Sequence, residues 1–332
     1  MTQRNRRFGS ACAAGDLIKA KHIGVSQDRL YAHVADLIFD VDLAFSQLES
    51  ALSIEPPQLA NNHIVDAGVD GLMKTMEALD EAGVTYVGAY RAEDASKQVV
   101  MTSLGDLRIG WVSHTFSLNG KTLPSDRRWS VDVTPFHVDS DPDTSRIQRQ
   151  IEPAKSAGCD LVVVALHFGM EWETYPQPTQ VAWAHTFADC GADLIIGTHP
   201  HVIQPVEIYR PPSDPDRAVP ILYSLGSLTT AMASPYAVLS CVANITFAEG
   251  VLRGRTRTML TGLVMTPVVY MAEDDEDDGR RNAALYRLSD LNRSDCVLDD
   301  ETRAYVESIN AFADGVLGPD WRSDIDEAVC CA

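Results

Sequence analysis

The sequence predicts an α/β fold whose strands carry the chemistry at their ends, and three observations lead there. Leu161 to His167 and Ala192 to Ile196 are near-continuous apolar runs rich in branched residues, as strands buried on both faces require. A helical pattern from about Thr179 to Cys190 lies between them and ends on Gly191, giving a strand–helix–strand unit. His, Asn, Asp and Glu recur at strand tips, the edge where open α/β sheets build their sites.

Composition narrows the function. With 332 residues, 45% of them hydrophobic, the chain can bury one large α/β core or two small ones without staples. Its 27 basic and 47 acidic residues give a net charge of −20, which argues against nucleic acid or an anionic membrane surface as the main partner. An anionic substrate would need a local cationic patch or bound metal. No run approaches the roughly 18 apolar residues that cross a membrane. The stretch after the Arg-bearing Met1 to Phe8 is too short for a signal-peptide core. The expectation is a cytoplasmic protein with no direct membrane insertion, free to form a homo-oligomer. Seven scattered cysteines with no Cys-x-x-Cys are neither a disulfide framework nor a thiolate zinc site. Cys159 and Cys190, each beside a glycine, read as small buried thiols.

In chain order, Phe8 to Ile18 reads as an opening strand delivering Asp16 at its tip, with small residues before it for close packing. Leu30 to Phe39 has helical spacing, and Val41 to Glu49 alternates as a strand that delivers Glu49. Leu59-Ala60-Asn61-Asn62-His63 ends a third segment, followed by Asp66 and an amphipathic helix from about Val69 to Ala82 that stops at Gly83. Val84 to Val87 is strand-like. Val99 to Leu104 and Leu107 to Ser113 form a hairpin on Gly105-Asp106, running into His114 and Asn119-Gly120. The polar, Pro-containing stretch from Lys121 to Asp143 reads as a long loop or lid. Thr144 to Ala157 is helical despite Pro153, and His185 in the following helix reads as a satisfied structural histidine. Strands are expected at Gln204 to Tyr209, Val219 to Leu225, Ala237 to Phe247 and Arg257 to Tyr270. A solvated acidic loop follows over Glu273 to Gly279, then helices at Arg281 to Leu291 and Asp300 to Ala313. This divides the chain into residues 1–270, carrying the site, and 271–332, an acidic loop with a helical extension.

The densest motif is Gly197-Thr198-His199-Pro200-His201, just past the strand Ala192 to Ile196. Two histidines one residue apart, with Gly and Pro bending the backbone, can aim both imidazoles into one pocket. With Asp16, Glu49, Asn62 and His167 also at strand ends, the set mixes carboxylate, amide and imidazole. Such donors suit one or two divalent ions, manganese, iron or zinc, rather than a closed structural zinc site. Ions about 4 Å apart polarise a phosphoryl or acyl oxygen and activate water. His63, beside Asn62, is free to protonate a leaving group.

These residues resemble the CapA-type, or poly-γ-glutamate capsule, proteins, which are similar in fold to the calcineurin-like metallophosphoesterases. The resemblance rests on Gly15-Asp16, Leu48-Glu49, Ala60-Asn61-Asn62-His63 with Asp66 and Gly68, and Thr115 with Asn119-Gly120. It continues in His167-Phe168-Gly169-Met170-Glu171, Gly197 to His201, and Tyr223-Ser224-Leu225-Gly226-Ser227. It implies a four-layer α/β/β/α sandwich with Asp16, Glu49, Asn62, His167, His199 and His201 as metal ligands. His63 is then the proton donor, and Asn119, Glu171 and Asp66 line the substrate site. Gln47, Trp172 and Ser227 depart from the family's usual Asn, Tyr and Asn, which bears on substrate placement more than on metal binding. The membrane anchor usual in the family is not expected here. The implied function is a metal-dependent hydrolase of a phosphate ester or a γ-glutamyl-type amide in a small or peptide-like anionic substrate. The alternative is a non-catalytic component of poly-γ-glutamate synthesis or export that binds an anionic chain.

Overall fold

The computed structural model describes residues 7–18, 26, 29–49, 57–136, 142–232, 234–274 and 281–318. The chain opens with β1 (Phe8–Leu17), α1 (Ala35–Phe39), β2 (Leu43–Leu48), the short β3 (Pro57–Gln58) and α2 (Gly68–Glu81). A hairpin of β4 (Val100–Leu104) and β5 (Leu107–Thr115) leads to α3 (Ser145–Ser156), β6 (Leu161–His167), α4 (Pro178–Cys190) and β7 (Leu194–Thr198). Next come β8 (Val206–Tyr209), β9 (Val219–Leu222), β10 (Ser227–Thr229) and α5 (Pro235–Val238). The long strands β11 (Leu239–Leu252) and β12 (Arg255–Asp274) precede β13 (Arg281–Arg287), α6 (Leu288–Leu291) and α7 (Asp300–Leu317).

Among the described residues these strands form two sheets. One runs β13-β12-β11-β1-β2-β3, with β10 parallel to β1 at Asp16 and Leu17, either side of a bulge. The other runs β4-β5-β6-β7-β9-β8 and is parallel from β5 through β9. Period-2 alternation gives central strands such as β6 and β7 two buried faces. Ala11, Ala13 and Phe45 from the first sheet meet Trp111, Val163, Ala165 and Ile196 from the second in one inter-sheet core. The opposite face of the first sheet, with Cys12, Ala14 and Leu48, packs with Ile38 of α1 and Leu72 and Met76 of α2. The outer face of the second, with Val162, Val164 and Ile195, packs with Ile147 of α3 and Phe187 of α4. The layers therefore read helix, sheet, sheet, helix, the four-layer arrangement expected. Two glycines make the closest approaches: a Cβ on Gly15 would stand 2.0 Å from the Gly226 carbonyl oxygen, and one on Gly197 2.0 Å from that of Tyr223.

Several expectations are corrected. Arg281 to Arg287 is not helical but a strand paired antiparallel with β12, and only Leu288–Leu291 is helix. Buried Ala283 and Leu285 alternate with half-buried neighbours, and pairing along β12 overrides the helix preference of Ala and Leu. The C-terminal segment also enters the inter-sheet core through Leu288, Val306, Ile309 and Ala313. Val84 to Val87 forms only a single bridge, Val87 to Gln58. From 121 to 136 the chain is not a free loop throughout. A 3₁₀ turn over Ser125–Ser130 is followed by bridges from Val131 to Ala89 and Val133 to Thr115, and Asp132, Thr134 and Phe136 are buried. Glu273 and Asp274 of the expected acidic loop end β12, whereas its remainder, residues 137–141, and Cys330 and Cys331 lie outside the described residues. Cys190 is exposed and Cys159 half-buried, whereas Cys12 and Cys241 are the buried thiols, each pushed up to about 12 by burial. His185 bonds Glu207 at 2.9 Å, a satisfied structural role. No helix of the described residues is long and apolar enough to cross a membrane.

Candidate metal centre

The parallel register brings the tips together. Thr115 pairs with His167 and His167 with Thr198, so β5, β6 and β7 end side by side. Across the sandwich, Asp16 pairs with Gln47, which places Asp16 and Glu49 at the matching edge of the first sheet. Beyond β7 the loop turns sharply, with His199 at φ 98° and His201 at φ 59°. Backbone of this kind costs about 1–3 kcal/mol per residue and persists only where surrounding contacts impose it. Pro200 and Gly197 do so here: the Trp172 N–H donates to the Pro200 carbonyl at 2.9 Å, and Gly197 presses against Tyr223.

The side chains converge. Ligand atoms of Glu49, His167 and His199 lie within 4.8 Å of one another, as do those of Asp16, Glu49 and His201, and those of Glu171, His199 and His201. Asn62 Oδ1 is 2.9 Å from His167 Nε2, and His201 Nδ1 is 3.2 Å from Asp16 Oδ2 and 3.7 Å from Glu49 Oε2. Asp16 is wholly buried, and its Oδ1 makes no hydrogen bond. Burial and the neighbouring Glu49 charge push the Asp16 carboxyl up, and burial does the same to Glu49, but the His167 hydrogen bond and the charges of His167, His201 and His63 together outweigh it and hold Glu49 low. Burial would lower His201, but the Asp16 hydrogen bond and the charges of Asp16, Glu49 and Glu171 together raise it to about 9. Two buried carboxylates thus draw positive charge toward a point where an unpaired oxygen and several imidazoles already face. That donor set fits a divalent cation.

His63 sits at the rim, half-exposed, with Nδ1 2.8 Å from Asp66 Oδ2. Asp66 is held low by His63 and by Lys121, whose ammonium donates to Asp66 Oδ1 at 3.1 Å and to its carbonyl at 2.7 Å. Asn119 accepts from the Asn62 amide at 3.0 Å and lies 3.3 Å from His63 Nδ1. All ten residues singled out in the sequence therefore gather at one place. Glu171, expected only to line the site, brings its carboxylate among the imidazoles of His199 and His201.

Other neighbours had been given no role at the metal ligands. Phe116 packs its ring 4.5 Å from that of His199. Thr198 Oγ1 is 2.9 Å from His167 Nδ1, and Ser227 Oγ is 3.2 Å from His201 Nδ1. Ser227 is buried against that imidazole, so this departure bears on ring orientation rather than on substrate. Thr198 was legible as part of the Gly197 to His201 motif. Phe116 and Lys121 carried no local signal.

The family model described as "Bacterial capsule synthesis protein PGA_cap" matches residues 51–231, more than half of the chain. The chain belongs to that family. Within the matched PGA_cap span lie Asn62, His63, His167, His199 and His201, while Asp16 and Glu49 precede it. The capsule biosynthesis protein CapA of Bacillus anthracis is 33% identical over 172 residues, 51% of this chain and 38% of that protein. The PGA biosynthesis protein CapA of Bacillus subtilis is 33% identical over 169 residues, 51% of this chain and 40% of that one. A Mycobacterium tuberculosis protein whose name reads "polyglutamine synthesis accessory protein" is 32% identical over 178 residues, 51% of this chain and 43% of that one. The matched stretch thus spans 38–43% of these PGA_cap relatives. Among solved structures, the calcineurin-like phosphoesterase YfkN of Bacillus subtilis aligns over 92% of this chain and 98% of its own, with 11% identity and a TM-score of 0.45. A hypothetical protein of Thermus thermophilus aligns over 78% of this chain and 98% of its own, with 17% identity and a TM-score of 0.41.

Proposed function

We propose that this PGA_cap protein is a metal-dependent hydrolase that cleaves a phosphate ester or a γ-glutamyl-type amide in an anionic substrate. The observation that carries the reading is the buried convergence of Asp16, Glu49, His167, His199 and His201 around an unpaired carboxylate oxygen. Asn62, Glu171 and these five would hold one or two divalent ions, manganese, iron or zinc. Such an ion supplies a water ionised near neutral pH and a Lewis acid for the scissile bond. The chain does the rest. Asp66 fixes His63 through Nδ1, and Nε2, 3.4 Å from the Asn119 amide nitrogen, would give a proton to the leaving group. Lys121 keeps Asp66 in place, and Asn119 ties the His63 ring to the Asn62 amide. Phe116 covers one side of His199 and limits water there.

The test pairs metal content with turnover of an aryl phosphate ester and of γ-glutamyl peptides. Asn62→Ala and His199→Ala are expected to lose metal and activity together. His63→Gln is expected to keep its metal and lose about 10²–10⁴-fold in turnover, the usual range for a general acid. A metal-loaded wild type inert toward both substrate classes overturns the hydrolase reading.

A second reading has support in the relatives' names, which speak of biosynthesis and accessory roles. In it the same pocket holds an anionic chain without cutting it. Capture of a membrane synthase, undiminished by His199→Ala, would favour that reading.

A further inference from the structure

A second cavity, of about 580 Å³, opens between the β4–β5 edge, α3 and the 3₁₀ turn at Ser125–Ser130. None of the ten residues of the metal centre lines it. Its walls carry Lys97, Arg128, Arg146 and Arg149, four cations on a chain whose net charge is −20. That volume lies within the range of ordinary ligand pockets.

Not all four cations are free. Arg146 is paired with the buried Asp132, which also accepts from the Tyr90 hydroxyl at 2.7 Å and the Gln150 amide at 3.1 Å. Lys97 is neutralised by Glu93 at 2.9 Å, with Asp94 at 3.6 Å. Among the described residues no carboxylate forms an ion pair with Arg128 or Arg149; Arg149 donates to the Ser145 hydroxyl, at 2.7 Å. Arg146, Asp132, Tyr90 and Gln150 thus form a satisfied network beside two guanidiniums from different segments that have no ion-pair partner among the described residues; Glu93 lines the same cavity, and the Arg149 charge is also felt by the exposed Asp143. Trp129 lines the same cavity, held by its Nε1–H donating to the Asp126 carbonyl at 2.8 Å and by Arg127 over its ring at 5.5 Å. Trp111, Val99 and Pro153 complete the apolar part of the wall.

We infer that this cavity is a binding site, separate from the metal centre, for an acidic peptide in which carboxylates are spaced by methylene groups. Two guanidinium forks match two carboxylates, each by paired hydrogen bonds. The indole and proline surfaces match the methylenes between them. A compact polyphosphate would instead call for cations converging on one point, whereas here two of the four are committed to internal carboxylates. The cavity stands without the hydrolase reading; only the choice of a glutamyl chain as probe rests on it.

The experiment titrates the full-length protein, kept in chelator, with a γ-linked glutamate oligomer and follows tryptophan fluorescence. A glutamine oligomer and a nucleoside triphosphate serve as comparisons. Binding is expected to persist in His199→Ala, to weaken with added salt, and to fall by at least about tenfold in Arg128→Ala/Arg149→Ala. Trp129→Phe is expected to remove most of the signal while calorimetry still detects binding. Arg128 and Arg149 are exposed, so circular dichroism of the double variant should match wild type. Unchanged affinity in the double variant, equal affinity for the glutamine oligomer, or tighter binding of the triphosphate would each overturn the assignment. Inactivity of the metal centre toward both substrate classes would leave it standing.

Discussion

His114 shows how one buried ring shapes the molecule's response to acid. It is fully buried, with Nε2 2.7 Å from Gln150 Oε1 and Nδ1 2.9 Å from Thr134 Oγ1. The charged groups facing it are Asp132, 4.0 Å away, and Arg146. Burial pushes the imidazolium below its ordinary value, and Asp132 and Gln150 only partly oppose this. Below about pH 6.5 the unfolded chain binds a proton here that the folded chain refuses. Stability from this ring is therefore present above that pH and declines as pH falls toward the folded value. His114→Gln is expected to remove that component from the pH dependence of urea-unfolding free energy, at a cost of about 1–3 kcal/mol near neutral pH. Superimposable wild-type and variant slopes below pH ~6.5 would refute the account. His167, His199 and His201 were legible in sequence because each ends or follows an apolar run. His114 also ends such a run, yet it points to the helix side, an outcome decided by strand parity and invisible without register.

At the scale of elements, the two edges of the centre are set by how closely strands approach. Gly15 and Gly197 each lie where a methyl would meet backbone oxygen, and backbone cannot move aside as a flexible side chain does. Gly197→Ala is expected to lower stability by about 1–3 kcal/mol or more and to shift the Gly197 to His201 turn enough to weaken metal binding. Thermal melts and metal analysis check both, and an unperturbed variant would show that β7 slides freely. The strand at Leu161 to His167, the β4–β5 hairpin and the helix stopping at Gly83 could be read because apolar period and glycine punctuation agree there. The strand at Arg281 to Arg287 and the buried path from Val131 to Phe136 could not. Their polar residues are satisfied by distant partners, Asp132 by Tyr90 and Arg146 for instance, and no local pattern reports that.

For the whole molecule, the division of the donor set between layers matters most. Asp16, Glu49 and Asn62 come from the first sheet's side, and His167, His199 and His201 from the second. The two sheets pair no named strand with one another among the described residues; side-chain packing joins them. An ion gripped from both sides acts as a rivet, since parting the layers and releasing the ion become one event. By mass action, free metal at about 100 times its dissociation constant adds roughly 2.7 kcal/mol to folding stability. Chelation is expected to lower the wild-type melting temperature by several degrees and to leave His199→Ala unmoved. Equal shifts in both would show that the ion bears no mechanical load. A cell starved of that ion would then face a scaffold that loosens as its chemistry stops, which exposes the idle form to proteases before the loaded one.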